Sequence, residues 1–120
     1  MYYEISTIPG VTVEESVEMK INRLQREGQA GYLEGDYAGA VAKWTEWEQI
    51  EPNNPRALML IGDAHLRMDE RDKAREYYDK SLNADPGQIA LAIRRANLLD
   101  TMGRSPESAS SLNTYARLFP

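Results

Sequence analysis

Histidine occurs once in this chain, at position 65, and cysteine does not occur at all. Composition alone therefore excludes a cysteine nucleophile, a thiolate metal site and a metal centre built from several histidines. By helical period His65 falls on the core side of its stretch, where a packing role is expected rather than that of a base. Carboxylates are plentiful, Asp69-Glu70 and Glu46/Glu48 among them, but they sit where helix faces and turns meet solvent. Paired acid–base work would need a cleft around them. The glycine-led segment GRSPES lacks the lysine and the spacing of a phosphate-binding loop. The chain is therefore expected not to be an enzyme and to need no metal or other cofactor. The remaining chemistry is aromatic. In WTEWEQIEPNNP, residues 44–55, the chain's two tryptophans stand three apart before a proline and a polar turn. They form either an exposed pair that grips a ligand or packing inside a helix that stops at Pro52.

The elements that must position these residues belong to one domain of 120 residues, large enough for a core. Apolar residues make up 42% and charged residues 28%, ordinary values for a globular chain. Abundant Ala, Leu, Glu and Arg favour helix. The net charge of −5 argues against sequence-independent binding to a phosphate backbone, so no nucleic-acid partner is expected. Charge is unevenly spread: −3 over residues 1–20, −3 over 21–54, −1 over 55–88 and +2 over 89–120. That is a bias for docking to an oppositely charged neighbour. The start, MYYEISTIPG, has neither a basic region nor an apolar run of signal-peptide length, and no segment has the apolar length to cross a bilayer. The expected address is the cytoplasm, with no membrane partner.

The organising signal is a period. Pro52, Pro86 and Pro120 are 34 apart, and the same offset relates Ala40, Ala74 and Ser108. It also relates Trp44, Tyr78 and Leu112; Gly28, Gly62 and Ala96; Leu24, Leu58 and Ala92; and Gly35, Asp69 and Gly103. A repeat that keeps small residues small and large ones large marks a stack of identical structural units. The middle copy, PRALMLIGDAHLRMDERDKAREYYDKSLNADPGQ, carries Leu58, Ile61-Gly62, Ala74, Tyr78 and Asp85-Pro86. On those residues the chain resembles the tetratricopeptide repeat, a helix–turn–helix unit of this length. The resemblance covers residues 21–120, read as three repeats at 21–54, 55–88 and 89–120. Residues 1–20 supply an N-terminal arm and the start of the first helix.

Local signals agree. Asn54-Pro55 and Ser105-Pro106 each pair an N-cap with proline at the first helical position. Leu58, Ile61 and His65, then Ala74, Tyr78 and Leu82, follow helical spacing. The three prolines of the repeat mark stops. These signals predict helices over 13–34, 37–50, 54–68, 71–84, 88–102 and 105–118. The first begins early because Thr12-Val-Glu-Glu15 reads as a capping box, with Val17, Ile21 and Leu24 continuing one stripe. The fold class is all-α, a solenoid of antiparallel helix pairs.

The resemblance implies that the first helix of each pair lines a concave groove. Asn22, Gln25, Gln29, Tyr32 and Leu33 fall there from the first helix, and Arg56, Met59, Asp63, Leu66 and Arg67 from the third. Ala90, Ile93, Arg94, Asn97 and Asp100 follow from the fifth. Apolar patches with arginine suit a peptide partner with apolar anchors and a few carboxylates. Family members that hold acidic chaperone tails use a clamp of Lys and Asn, then Asn, then Lys and Arg. The matching positions are Gln25, Gln29, Leu60, Ala90 and Arg94, and Arg94 alone conforms, so that clamp is not expected here. The implied function is a non-enzymatic protein-interaction module, adaptor or chaperone-like.

The resemblance also places Trp44 between the helices of its repeat and Trp47 where a small residue is usual. Gly31 stands where the first helix normally carries a bulky one. Trp47 is thus expected to pack over Gly31 and Gly28, with His65–Ser81 and Leu99–Tyr115 as the corresponding pairs. MYYEISTIPGV reads as an extended arm turning at Pro9-Gly10, able to pack on its own repeat, lie in a groove or join a neighbour. The last helix, PESASSLNTYARLF, would leave Tyr115, Leu118 and Phe119 partly uncovered. A homo-oligomer or structural subunit built through these two ends is the alternative to the groove.

Overall fold

The computed structural model describes residues 2–8 and 11–103, with side chains from Glu14 onward. Two strands, β1 (Tyr2–Ile8) and β2 (Val11–Ser16), precede five helices. These are α1 (Val17–Glu34), α2 (Tyr37–Ile50), α3 (Pro55–Arg67), α4 (Arg71–Ala84) and α5 (Ile89–Thr101). The expected sixth helix, with Ser108, Tyr115, Leu118 and Phe119, lies outside the described residues.

Each helix end has a local cause. Asp36 accepts from the Gly39 amide at 2.9 Å and Asn54 from the Ala57 amide at 3.1 Å, satisfying backbone donors at the starts of α2 and α3. Pro55 follows its cap at the first helical position, where a missing N–H costs nothing. Gly35 closes α1 at φ 86°, a left-handed conformation that a β-carbon disfavours. Helices α2 and α4 each stop two residues short of a proline, Pro52 and Pro86.

The N-terminus departs from the expectation. Rather than a single arm leading into a helix at residue 13, residues 2–8 and 11–16 pair antiparallel, from Tyr2 opposite Ser16 to Ile8 opposite Val11, with a register shift between Ser6 and Ile8. Helix α1 starts at Val17 because Ser16, not Thr12, is its cap, accepting from the Met19 amide at 3.1 Å. Glu15 does not close a capping box. Its carboxylate, with the residue 2% exposed, takes a two-pronged contact from Arg23, Nε to Oε2 at 2.8 Å and Nη2 to Oε1 at 3.1 Å. Arg23 also reaches Glu27 at 2.7 Å, and Lys43 of α2 lies 3.6 Å from that carboxylate. The hairpin is thereby fastened to its own first helix.

The helices pack as antiparallel pairs, α1 on α2 and α3 on α4, with α5 following on α4. One core cluster joins Leu24, Ala40, Trp44 and Trp47 to Ala57, Ile61 and Ala64 of α3. A second joins Ala74 and Tyr78 to Leu91 and Leu98 of α5. Both indoles are 2% exposed, so the tryptophans are packing, not an exposed pair. Truncating either to alanine would cost about 3–5 kcal/mol.

The expected partner of Trp47 is corrected. The atoms nearest Gly28 belong to Trp44, and those nearest Gly31 are the backbone of Asp36 and Ala40. Trp47 donates instead to Glu51 Oε1 at 2.6 Å. His65 and Ser81 are both buried and have polar or ring contacts of their own. The imidazole stacks on Tyr77, with centroids 5.4 Å apart, and its Nδ1 lies 3.2 Å from Glu70 Oε1. Ser81 donates to the Pro55 carbonyl at 2.7 Å.

Candidate interaction surface

Helix α1 presents Gln25, Gln29, Tyr32 and Leu33 at spacings of four, three and one, which places them along one face. Helix α3 presents Arg56, Leu60, Asp63 and Arg67 in the same manner. Their juxtaposition forms a depression of about 250 Å³ lined by Gln25, Gln29, Tyr32, Leu33, Trp44, Arg56, Leu60 and Asp63. A second, more open depression of about 610 Å³ adjoins it, sharing Tyr32 and Asp63 and adding Leu66, Arg67, Tyr78 and Arg94. Together they make a continuous concave strip across α1, α3 and α5.

Tyr32 stands at the join. Its ring meets Tyr37 edge-on, with centroids 5.2 Å apart, and lies 5.9 Å from that of Trp44. Arg67 Nε donates to the Tyr32 hydroxyl at 3.0 Å, and its guanidinium sits 5.8 Å over the ring. That hydroxyl bond raises the Arg67 pKa further, so the cation is permanent. On the far side, Arg94 Nη1 donates to Asp63 at 3.0 Å and 3.3 Å, and the Tyr78 hydroxyl donates to the same carboxylate. Burial first, and then the bond to Asp63, push the Tyr78 phenol far above its ordinary pKa. Tyr78 is therefore a fixed neutral donor.

The strip divides chemically. In the second depression Asp63 neutralises Arg94, and Arg67 is drawn onto Tyr32. In the first, Arg56 has no ion-pair partner among the described residues, and no described residue engages the amides of Gln25 and Gln29. Leu33, 76% exposed, supplies an uncovered apolar edge.

Of the residues expected in the groove, Gln25, Gln29, Tyr32, Arg56 and Asp63 line the first depression, and Leu66, Arg67 and Arg94 the second. Asn22, Ile93 and Asn97 are exposed but line neither. Met59 lines neither depression and is partly buried, packing against the Ala74–Tyr78–Leu91–Leu98 cluster. From sequence Leu60 figures only as a position matching the chaperone-tail clamp, and Trp44 and Tyr78 are not assigned to the groove. Leu60 was readable as the residue four after Arg56. The two rings come from second helices and reach the strip past Gly28 and Gly62.

The described residues hold no group of three or more His, Cys, Asp or Glu placed for a metal ion. No helix among them is long and apolar enough to cross a membrane.

Helix pairs stacked at a 34-residue period, with a concave face built from first helices, define a class of protein-interaction fold. A family model of the tetratricopeptide repeat matches residues 32–98, more than half the chain, and the protein belongs to that family. Among curated proteins it is 31% identical over 67 residues to anaphase-promoting complex subunit 7 of Arabidopsis thaliana, covering 55% of this chain and 12% of that one. It is 27% identical over 97 residues to photosystem I assembly protein Ycf3 of Acaryochloris marina, covering 78% of this chain and 58% of that one. The chain thus spans less than two thirds of either relative. Among solved structures it superposes on the TPR2B domain of yeast Sti1 in its pHsp70 complex, with a TM-score of 0.74 at 21% identity, covering 81% and 78% of the two chains.

Proposed function

We propose that the protein is a non-enzymatic adaptor that binds an extended peptide segment of a partner protein along the concave strip. The observation that carries this reading is the first depression. Two amides and one arginine without partners among the described residues stand around an apolar hollow formed by Tyr32, Leu33 and Leu60. Amides of this kind donate to and accept from a peptide main chain, and the hollow takes a side chain. The pHsp70-bound fold neighbour supports the mode of use. The adaptor or chaperone-like role, the three-repeat division of residues 21–120 and a cytoplasmic address belong to the same proposal; a cysteine-free chain suits a reducing compartment. Glu15 ties the hairpin to its own α1, which favours the groove over the reading of a subunit assembled through that arm.

The test is capture of an arrayed library of blocked nonapeptides by wild type beside a Gln29→Ala, Leu33→Glu, Arg56→Glu variant. All three positions are exposed, so helical circular dichroism and melting temperature should be unchanged. Captured peptides should bind the variant at least about tenfold more weakly, or about 1.4 kcal/mol. Equal capture by both proteins would defeat the reading.

A further inference from the structure

We propose that Asp63 sets the specificity of the groove. By neutralising Arg94 it leaves carboxylate recognition to Arg56, so the ligand is an internal segment carrying an acidic side chain beside an apolar one, not a chain terminus. This rests on the peptide-binding reading above and narrows it.

The concave strip holds three cations, and their surroundings differ. Both Asp63 oxygens lie within 3.3 Å of Arg94 Nη1, and Tyr78 donates to the same carboxylate. An incoming carboxylate that approached Arg94 would meet the Asp63 charge at the same place, and like charges in one site exclude each other. Arg67 is turned onto the hydroxyl and ring of Tyr32. Arg56 is exposed, lines the first depression and has no acidic partner among the described residues. It lies seven residues before Asp63 on α3, about 10 Å along the axis, which removes a carboxylate bound there from the worst of the repulsion.

Spacing fixes the rest of the motif. Leu60 lies four residues after Arg56 on α3, about 6 Å along the axis. In an extended peptide, side chains two residues apart project to the same side about 6.7 Å from each other. An acidic residue against Arg56 therefore brings the side chain two positions away over Leu60, into the hollow of about 250 Å³ that Tyr32 and Leu33 complete. Across the hollow, Gln25 and Gln29 are separated by the same four-residue step and face the peptide backbone. The recognised pattern is an acid and a large apolar residue separated by one position.

The probes are N-acetylated nonapeptides in an Ala/Ser background, read by fluorescence anisotropy. One carries Glu-x-Leu with an amidated end, one Gln-x-Leu with an amidated end, and one Glu-x-Leu ending in a free carboxylate directly after Leu. Wild type should bind the amidated Glu peptide at least about tenfold more tightly than its Gln counterpart. Arg56→Gln should abolish that preference. Freeing the terminus should leave wild-type affinity within about twofold, whereas Asp63→Asn, which releases Arg94, should tighten binding of the free-terminus peptide at least about fivefold. A wild-type preference for the free terminus, or a Glu preference that survives Arg56→Gln, would overturn the inference. So would capture of library peptides without any acidic preference, an outcome that leaves the peptide-binding reading standing. Failure to bind any library peptide removes both. If Asp63→Asn does not fold by circular dichroism, the Arg56→Gln comparison decides alone.

Discussion

A glycine facing a large ring recurs at the 34-residue offset, and at this scale it sets how closely the helices approach. A β-carbon at Gly28 would lie 2.2 Å from Trp44 Nε1, and one at Gly62 would lie 2.7 Å from the Tyr78 ring. Neither glycine has positive φ, so each is needed for space rather than for conformation. Gly28→Ala and Gly62→Ala should each destabilise by about 1–3 kcal/mol through overpacking. Alanine's intrinsic helix advantage of about 1 kcal/mol works in the opposite direction, so a net loss identifies the clash as dominant. Urea unfolding measures it, and Gly28→Ala alone should also shift tryptophan emission, because Trp44 must move. A stabilised Gly28→Ala protein would contradict the packing. The expected exchange of Trp47 against Gly31 is not the one the packing uses, since Gly28 faces Trp44 and Gly31 faces the backbone of Asp36 and Ala40. Trp44 and Trp47 are three residues apart, so they point only about 60° from each other around α2. Period alone does not distinguish which ring meets Gly28.

At the scale of elements, the hairpin is held by charge, which makes its attachment sensitive to pH. The Arg23 guanidinium, by hydrogen bonding, holds the Glu15 carboxyl below the usual carboxylate range and does the same for Glu27. A carboxylate whose pKa is lower when folded contributes stability above its unfolded pKa and loses it as pH falls through the folded value. The attachment should therefore persist through mildly acidic conditions and fail only once the pH falls below the ordinary carboxylate range. Hydrogen exchange of the β2 amides should report that release while the helices keep their signal. Glu15→Gln should loosen β2 already at neutral pH and remove the acid step. Persistence of the step in that variant would place its cause elsewhere. Alternation in residues 1–11 was legible as extended chain. The pairing was not, because Thr12-Val-Glu-Glu15 satisfies the local pattern of a capping box. What overrides it is Arg23, eight residues beyond Glu15, together with a second cap at Ser16. Helices α2 to α5 carried consistent local signals, from Asn54-Pro55 to the prolines after α2 and α4, and began and ended within a residue of expectation.

At the scale of the whole molecule, the principal helix contacts among the described residues run in sequence, α1 on α2, α2 on α3, α3 on α4 and α4 on α5, so stability is approximately a sum over seams. The groove shows how far one sequence reveals such a stack. Gln25, Gln29 and Arg56 could be placed from period and the family resemblance. The pairing of Arg94 with Asp63, 31 residues away, depends on the rotation between units and could not. A buried hydroxyl helps to join the seam beside that pair, where Arg95 of α5 also meets Asp79 of α4. Ser81, fully buried, donates to the Pro55 carbonyl of α3 at 2.7 Å and accepts from Gln88 Nε2 at 3.0 Å. Gln88 in turn holds the Ser81 and Asp85 carbonyls at 2.9 Å and 3.0 Å, just ahead of α5. Ser81→Ala therefore strips a buried polar link among α3, α4 and α5, at a cost of about 1–3 kcal/mol. In a stack of nearest neighbours that loss stays local. Amides of α5 should exchange faster, those of α1 and α2 should hardly change, and urea unfolding should broaden into two steps. Peptide binding at Arg56, built on α1 and α3, should survive, while the Arg94–Asp63 pair loosens and a free terminal carboxylate becomes acceptable. Equal acceleration of exchange in all five helices would show instead that the molecule unfolds as one unit and that its seams are not separable.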